Sequence, residues 1–281
     1  NVYRPDIGAI TTTNYYTSFC TSGTQTTNLP NLPASGTYTL VMYSPNGGAS
    51  SGQVALASST TGTISTAGSL GNFAAAGVGQ NVGLTFNALA PGNFELTLSN
   101  VNAAGASTNG FEVRVAGPSG AQIANFYCYA SSPGSSCTQP LWNLSAGTYS
   151  IVAMPVFGGT LSFSAQLQPD ITGTSLTAGN AANIALQAGQ AERVTFSANQ
   201  GSNIVLQLAG VSTAPANQPL YVDVYRPDVG EIDTSSVYAN FEATGANSIS
   251  LSSLPVGGTY TAVLHTGTGI PATAQFSYAT Q

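Results

Sequence analysis

Hydrophobic and polar residues alternate with a period of two through most of this chain, in short runs closed by Gly, Pro, Asn and Ser. Tyr149, Ile151 and Ala153 fall on one side of such a run, and Tyr260, Ala262 and Leu264 on one side of another. Side chains two apart share a face of a β-strand, so each run predicts a strand with one packed side. Near the start Tyr38, Leu40 and Met42 repeat the pattern, with Thr37, Thr39 and Val41 on the opposite, partly wetted side. Further strands are predicted at Phe94-Glu95-Leu96-Thr97-Leu98, Phe111-Glu112-Val113-Arg114-Val115 and Leu220-Tyr221-Val222-Asp223-Val224-Tyr225. Clusters such as Ser44-Pro45-Asn46-Gly47-Gly48 and Ala90-Pro91-Gly92-Asn93 supply turns between them. No segment reads as an amphipathic helix. Strands punctuated every 8 to 12 residues or so by turn chemistry predict an all-β sandwich.

The strands belong to a tandem array. Gly36-Thr37-Tyr38, Gly147-Thr148-Tyr149 and Gly258-Thr259-Tyr260 lie 111 residues apart, a period too long for a solenoid turn and right for a small domain. Val2-Tyr3-Arg4-Pro5-Asp6-Ile7-Gly8 recurs as Val224-Tyr225-Arg226-Pro227-Asp228-Val229-Gly230, with a degraded middle version at Val115-Ala116-Gly117-Pro118-Ser119-Gly120. Thr61-Gly62-Thr63, Gly79-Gln80 and Leu84-Thr85-Phe86 match Thr172-Gly173-Thr174, Gly189-Gln190 and Val194-Thr195-Phe196. The expected fold is therefore tandem jelly-roll or immunoglobulin-like β-sandwiches, seven to nine strands each. Complete units are expected at 60–170 and 171–281, with residues 1–59 forming the second half of a first unit. Either the chain is part of a longer array or another molecule completes that first unit, since half a sandwich leaves an apolar face and strand edges uncovered.

Composition changes the picture by pointing outside the cell. Charged residues are 5% of the chain, lysine is absent, and the arginines are Arg4, Arg114, Arg193 and Arg226; ordinary soluble domains carry about 25% charged residues. Solubility falls to Thr, Ser, Asn and Gly. A net charge of −6 argues against nucleic acid, which needs clustered cations. No run approaches the roughly 18 to 20 apolar residues of a membrane span, and no leader pattern opens the sequence. Without lysine, no Lys–Asn isopeptide crosslink forms within the chain, and the scarcity of charge makes association between copies electrostatically cheap.

Cys128 and Cys137 flank Tyr129-Ala130-Ser131-Ser132-Pro133-Gly134-Ser135-Ser136, whose Pro-Gly predicts a reversal that brings the thiols together as a disulfide. That pairing fits an oxidising exterior. Cys20 lies in the matching region of the first unit and has three fates open to it: a free thiol, a bond to the missing half-unit, or a link between molecules.

Taken in order, Thr-Gly-Thr, Gly-Gln with Leu-Thr-Phe, Val-Tyr-Arg-Pro-Asp-Val-Gly and Leu-Pro-x-Gly-Gly-Thr-Tyr resemble bacterial pre-peptidase C-terminal domains. Residues 171–281 show the resemblance best, 60–170 follow with a weaker turn, and 1–59 match its latter half. It implies β-sandwich modules of secreted proteins, often in tandem, acting as accessory or binding units without catalysis.

Enzyme chemistry lacks an inventory. The single histidine, His265, stands in register with Met154 and Tyr43, which predicts a structural strand residue and removes Ser-His-Asp and Cys-His mechanisms. No zinc constellation is present, the ten acids give no positive support to a glycosidase pair, and the Gly-rich segments precede no helix that could cradle phosphate. Asp223, Asp228, Glu231 and Asp233 are a weak calcium candidate, read as a solvated loop. No cofactor is expected. Trp142, the only tryptophan, and the group Tyr15, Tyr16 and Phe19 are candidate sugar-stacking or interface aromatics, with packing across the sandwich or between units as the plainer role of Trp142. Two functions follow as expectations: a structural array assembling end to end into a bacterial surface fibre, sheath or adhesive filament by completion of its partial first domain, or a carbohydrate- or surface-binding appendage of a secreted hydrolase.

Overall fold

The computed structural model describes residues 1–29, 32–105, 110–130, 135–155 and 158–281. Its regular elements are all strands. The first unit contributes β1 (Val2–Tyr3) and β2 (Thr39–Leu40). The second unit carries β3 (Thr60–Thr63), β4 (Gly71–Ala75), β5 (Val82–Ala88), β6 (Gly92–Asn102), β7 (Gly110–Ala116), β8 (Gln122–Tyr129), β9 (Cys137–Leu144), β10 (Gly147–Met154) and β11 (Leu161–Pro169). The third repeats the series with β12 (Ile171–Ser175), β13 (Ala181–Leu186), β14 (Glu192–Ala198), β15 (Ile204–Thr213), β16 (Leu220–Tyr225), β17 (Ala239–Ala243), β18 (Asn247–Leu251), β19 (Gly258–Thr266) and β20 (Ala272–Thr280).

Each series folds into two sheets. In the second unit the orders are β3-β5-β10-β7-β8 and β4-β11-β6-β9; in the third they are β12-β14-β19-β16-β17 and β13-β20-β15-β18. The chain passes back and forth between its sheets, the jelly-roll connectivity, and in the second and third units the first strand alone pairs in parallel among the described strands. The period-two pattern decides which side faces in. Along β5, Val82, Leu84, Phe86 and Ala88 are buried while Gly83, Thr85 and Asn87 point outward. Each unit owns a separate core, one around Leu84, Leu96, Phe111, Ile151 and Leu167, the other around Phe196, Leu206, Val222, Tyr260 and Phe276.

The recurring tripeptide marks a corner with one construction. The tyrosine hydroxyl donates to the carbonyl four residues back, Tyr38 to Ala34 at 2.9 Å, Tyr149 to Ser145 at 2.9 Å and Tyr260 to Val256 at 2.8 Å. The preceding glycines have φ of +139°, +149° and +142°, and a Cβ on them would come within 2.8 Å of Pro5, 2.5 Å of Pro118 and 3.0 Å of Pro227. The proline of the Tyr-Arg-Pro-Asp turn and the glycine of Gly-Thr-Tyr are therefore two halves of one contact.

The Cys128–Cys137 disulfide joins β8 in one sheet to β9 in the other, with Cys128 fully buried. It staples the sandwich across its layers; the Pro133-Gly134 turn proposed to align the thiols lies outside the described residues. Cys20 is exposed and unbridged.

The first unit departs from the expectation of a packed strand. Its β1–β2 pairing, Val2↔Leu40 and Tyr3↔Thr39, copies Val224↔Ala262 and Tyr225↔Thr261 of the third unit. Tyr16 N donates to Val2 O as Tyr238 N donates to Val224 O, both at 2.8 Å. Yet Leu40 and Met42 are exposed although they share a face with Tyr38. Among the described residues no second sheet of this unit packs on them.

Candidate functional site

A polar cleft lies where the first unit meets the second. Glu112 and Arg114 project from the outer side of β7, because Phe111, Val113 and Val115 take the core side. Arg114 donates to both oxygens of Glu112, Nε to Oε1 at 2.8 Å and Nη2 to Oε2 at 3.1 Å. The Glu112 side chain is buried while that of Arg114 is about half exposed, so the fork presents its free face to solvent. On edge strand β8, Phe126 and Cys128 pack inward and the alternate residues Tyr127 and Tyr129 point out, 46% and 56% exposed. Their rings lie 6.1 Å apart and within 19° of parallel. Tyr127 pairs across the ladder with Glu112. Met154 of β10 is part of the lining, and Thr17 with residues 25–28 of the first unit complete it. The resulting volume is about 380 Å³. Its chemistry is one aromatic face, one guanidinium–carboxylate fork and several amides and hydroxyls, a set suited to binding a polyhydroxylated ligand and lacking an activated nucleophile.

The junction of the second and third units is built from the chemistry that the sequence singled out elsewhere. Arg193 Nε donates to Asp170 Oδ2 at 2.7 Å, and the guanidinium sits 5.0 Å from the centre of the Trp142 ring. Trp142 meets Tyr225 edge to face at 6.1 Å. Asn143 Nδ2 donates to Ile232 O at 3.0 Å, Thr138 Oγ1 to Gly267 O at 3.1 Å and Ser136 Oγ to Thr268 O at 2.8 Å. Gly189 and Gly269 face Thr97 so closely that a Cβ on either would meet its hydroxyl, at 2.6 and 2.8 Å. Buried Glu95 lies beside this ion pair: desolvation, with Asp170 adding repulsion and Thr138 opposing it by a hydrogen bond, pushes its carboxyl up to about 8. Burial also pushes Asp170 up, against the pull of Arg193.

The remaining candidates are dispersed. Tyr15 and Phe19 are exposed, while Tyr16 packs edge-on against Tyr38 at 6.3 Å as Tyr238 packs against Tyr260. Among the acids, Asp228 is paired with Arg226, Asp233 accepts from Ser235 and Ser236 in a turn, and Asp223 faces His265 at 3.2 Å. Among the described residues no three metal-ligating groups converge. His265 sits on β19 at the predicted register, and the structure adds two partners, Asp223 and the ring of Tyr221 at 5.5 Å. Sequence reasoning missed Glu112, Arg114, Tyr127 and Tyr129. A Glu-x-Arg and a Tyr-x-Tyr on adjacent strands were visible signals, since charges are scarce here and i, i+2 places each pair on one face.

The fold and its junctions define an all-β chain of tandem jelly-roll units. No protein-family model matches it, and no curated protein matches it in sequence; the likeness to pre-peptidase C-terminal domains rests on motifs alone. In structure it is similar to the tandem CBM22-1–CBM22-2 domains of Paenibacillus barcinonensis Xyn10C, with 9% identity, 76% of this chain and 98% of that one covered, and a TM-score of 0.28. The CUB1-EGF-CUB2 domains of rat MASP-1 match at 10% identity over 77% of this chain and 99% of that one, with a TM-score of 0.23. No helix among the described residues is long and apolar enough to cross a membrane.

Proposed function

We propose that this chain is a non-catalytic, extracellular array of β-sandwich modules that binds carbohydrate, as an accessory to a secreted protein such as a hydrolase or on a cell surface. The cleft between the first two units carries the reading: an exposed tyrosine pair beside the Arg114–Glu112 fork offers a stacking face and oriented polar groups together. Trp142 is not the platform in this reading, because Arg193 and Tyr225 occupy its ring. The test is a glycan array followed by calorimetry on the best ligand. Tyr127→Ala is expected to weaken binding by about tenfold, in line with the loss of one aromatic contact, while Tyr15→Ala leaves it unchanged. Absence of glycan binding, or binding indifferent to Tyr127→Ala, overturns the reading.

The alternative, a structural array polymerising end to end, has one observation in its favour. Neighbouring units meet through the same surfaces twice: Gly79 and Gly158 pack on Thr26 and Thr24 of the first unit as Gly189 and Gly269 pack on Thr97 and Thr138 of the second. Against continuation of that junction, the matching face of the third unit carries Gln207, Ser248 and Ser252 where the second has Thr97, Thr138 and Trp142. Negative-stain microscopy across concentration decides; monodisperse short rods count against a fibre.

A further inference from the structure

One edge of the second unit's larger sheet is open. β8 ends the order β3-β5-β10-β7-β8, and among the described residues no backbone hydrogen bond joins residues 122–129 to an element beyond β7. Such an edge is a row of unpaired N–H and C=O groups, which takes up another strand unless shortness, charge, proline, a bulge or a cover prevents it. The other edges of the two complete sandwiches carry these devices. β3, β4, β12, β13, β17 and β18 are short, four to six residues each, and β17, which holds the place of β8 in its own sheet, sets Glu242 outward. β9 equals β8 in length but contains Pro140, and the third unit engages it through Thr138, Trp142 and Asn143. β8 runs Gln-Ile-Ala-Asn-Phe-Tyr-Cys-Tyr, eight residues with no charge, proline or glycine. Its register shift falls at its first residues, and 124–129 pair without interruption with 110–115.

We propose that β8 pairs antiparallel with β8 of a second copy of this chain, across a two-fold axis at Phe126, and joins two five-stranded sheets into one. The occupant follows from the edge. An open sheet edge accepts an extended strand, and among the described strands the one of this length left free is β8 itself. Paired on its own copy it is self-complementary. The axis at Phe126 sets Ile123 opposite Tyr129 and Asn125 opposite Tyr127, aromatic rings against an aliphatic chain and an amide, and brings no charge against its duplicate. One strand further in, Arg114 and Glu112 already neutralise each other. Ile123, Asn125, Tyr127 and Tyr129 are exposed while Phe126 and Cys128 face the core, so the contact forms without moving a core residue. The Cys128–Cys137 bond fixes the edge beforehand, which lowers the ordering cost of association. Each copy contributes a single strand to a closed two-fold contact, so assembly stops at two and builds no fibre. The tyrosine pairs of both copies then lie on one continuous face.

The experiment uses the full chain with Cys20→Ser, so that the exposed thiol cannot link copies, and follows sedimentation from about 1 to 100 µM together with amide hydrogen exchange. A shift from monomer to dimer is expected over that range, with exchange in the dimer slowed about tenfold over residues 123–129 and unchanged over 239–243. Asn125→Lys places a charge on the open edge and is expected to weaken the dimer at least tenfold or so. Ser250→Lys makes the same change on edge strand β18 and leaves the dimer intact. Both positions are exposed, and unchanged exchange in the cores around Leu84 and Phe196 confirms that the variants fold. The proposal is overturned by a chain that stays monomeric throughout, by oligomers that grow past two, by a dimer that protects other residues than 123–129, or by one indifferent to Asn125→Lys.

Discussion

At positions 36, 147 and 258 the side chain is a hydrogen atom because a proline ring occupies the space that a Cβ would take. Gly147 is the tightest of the three, and its φ of +149° adds backbone strain to any replacement. Gly147→Ala is expected to destabilise the second unit by about 1–3 kcal/mol, read from chemical unfolding. Tyr149→Phe keeps the stack on Phe86 and removes only the bond to Ser145, so its expected cost is about 1 kcal/mol. The same change at Tyr38, half-buried where Tyr149 is buried, costs less.

Between elements, the disulfide and the sheet edges decide stability. Cys128 and Cys137 are nine residues apart and join opposite sheets. On the chain-entropy argument a loop of that length contributes about 2–3 kcal/mol. Reduction or Cys137→Ser is expected to lower the stability of the second unit by that amount and leave the third unchanged, a difference that exchange measurements resolve unit by unit. Edge strand β8 carries Tyr127 and Tyr129 outward on the side away from Cys128, so the staple also holds the tyrosine pair in place.

Over the whole molecule the junction between the second and third units is the sensitive region. Asp170 and Arg193 are buried as a pair, so Arg193→Ala strands an acid beside Glu95 and is expected to cost about 3–5 kcal/mol, with new protease sensitivity near residue 170. Glu95 makes the junction respond to pH. Its carboxyl titrates near 8 when folded and at 4.5 when free, so the folded state holds the proton more tightly. That contribution is complete below about pH 4.5 and is lost as the pH rises toward 8. Glu95→Gln is expected to flatten the fall in melting temperature between pH 5 and 8.5 and to raise stability at the upper end by about 2–4 kcal/mol.

Much of this was legible in the chain itself. Period-two alternation announced strands because a pleated backbone sends successive side chains to opposite faces, and the 111-residue recurrence announced tandem units because the corner's glycine, tyrosine and proline are each required by local geometry. The cysteine pair was readable for the same reason of short separation. What the linear order could not convey was which outward-facing residues from different strands would share a surface. Glu112, Arg114 and Tyr127 meet only through ladder pairing between β7 and β8, and Trp142, Asp170 and Arg193 only because two sandwiches dock across a boundary. Trp142 in sequence is an aromatic before a strand; the third unit's guanidinium makes it part of a junction. Tertiary packing likewise settled that Leu40 and Met42 lie open while their repeat partners are buried, since burial depends on the opposite sheet and not on the strand that carries the side chain.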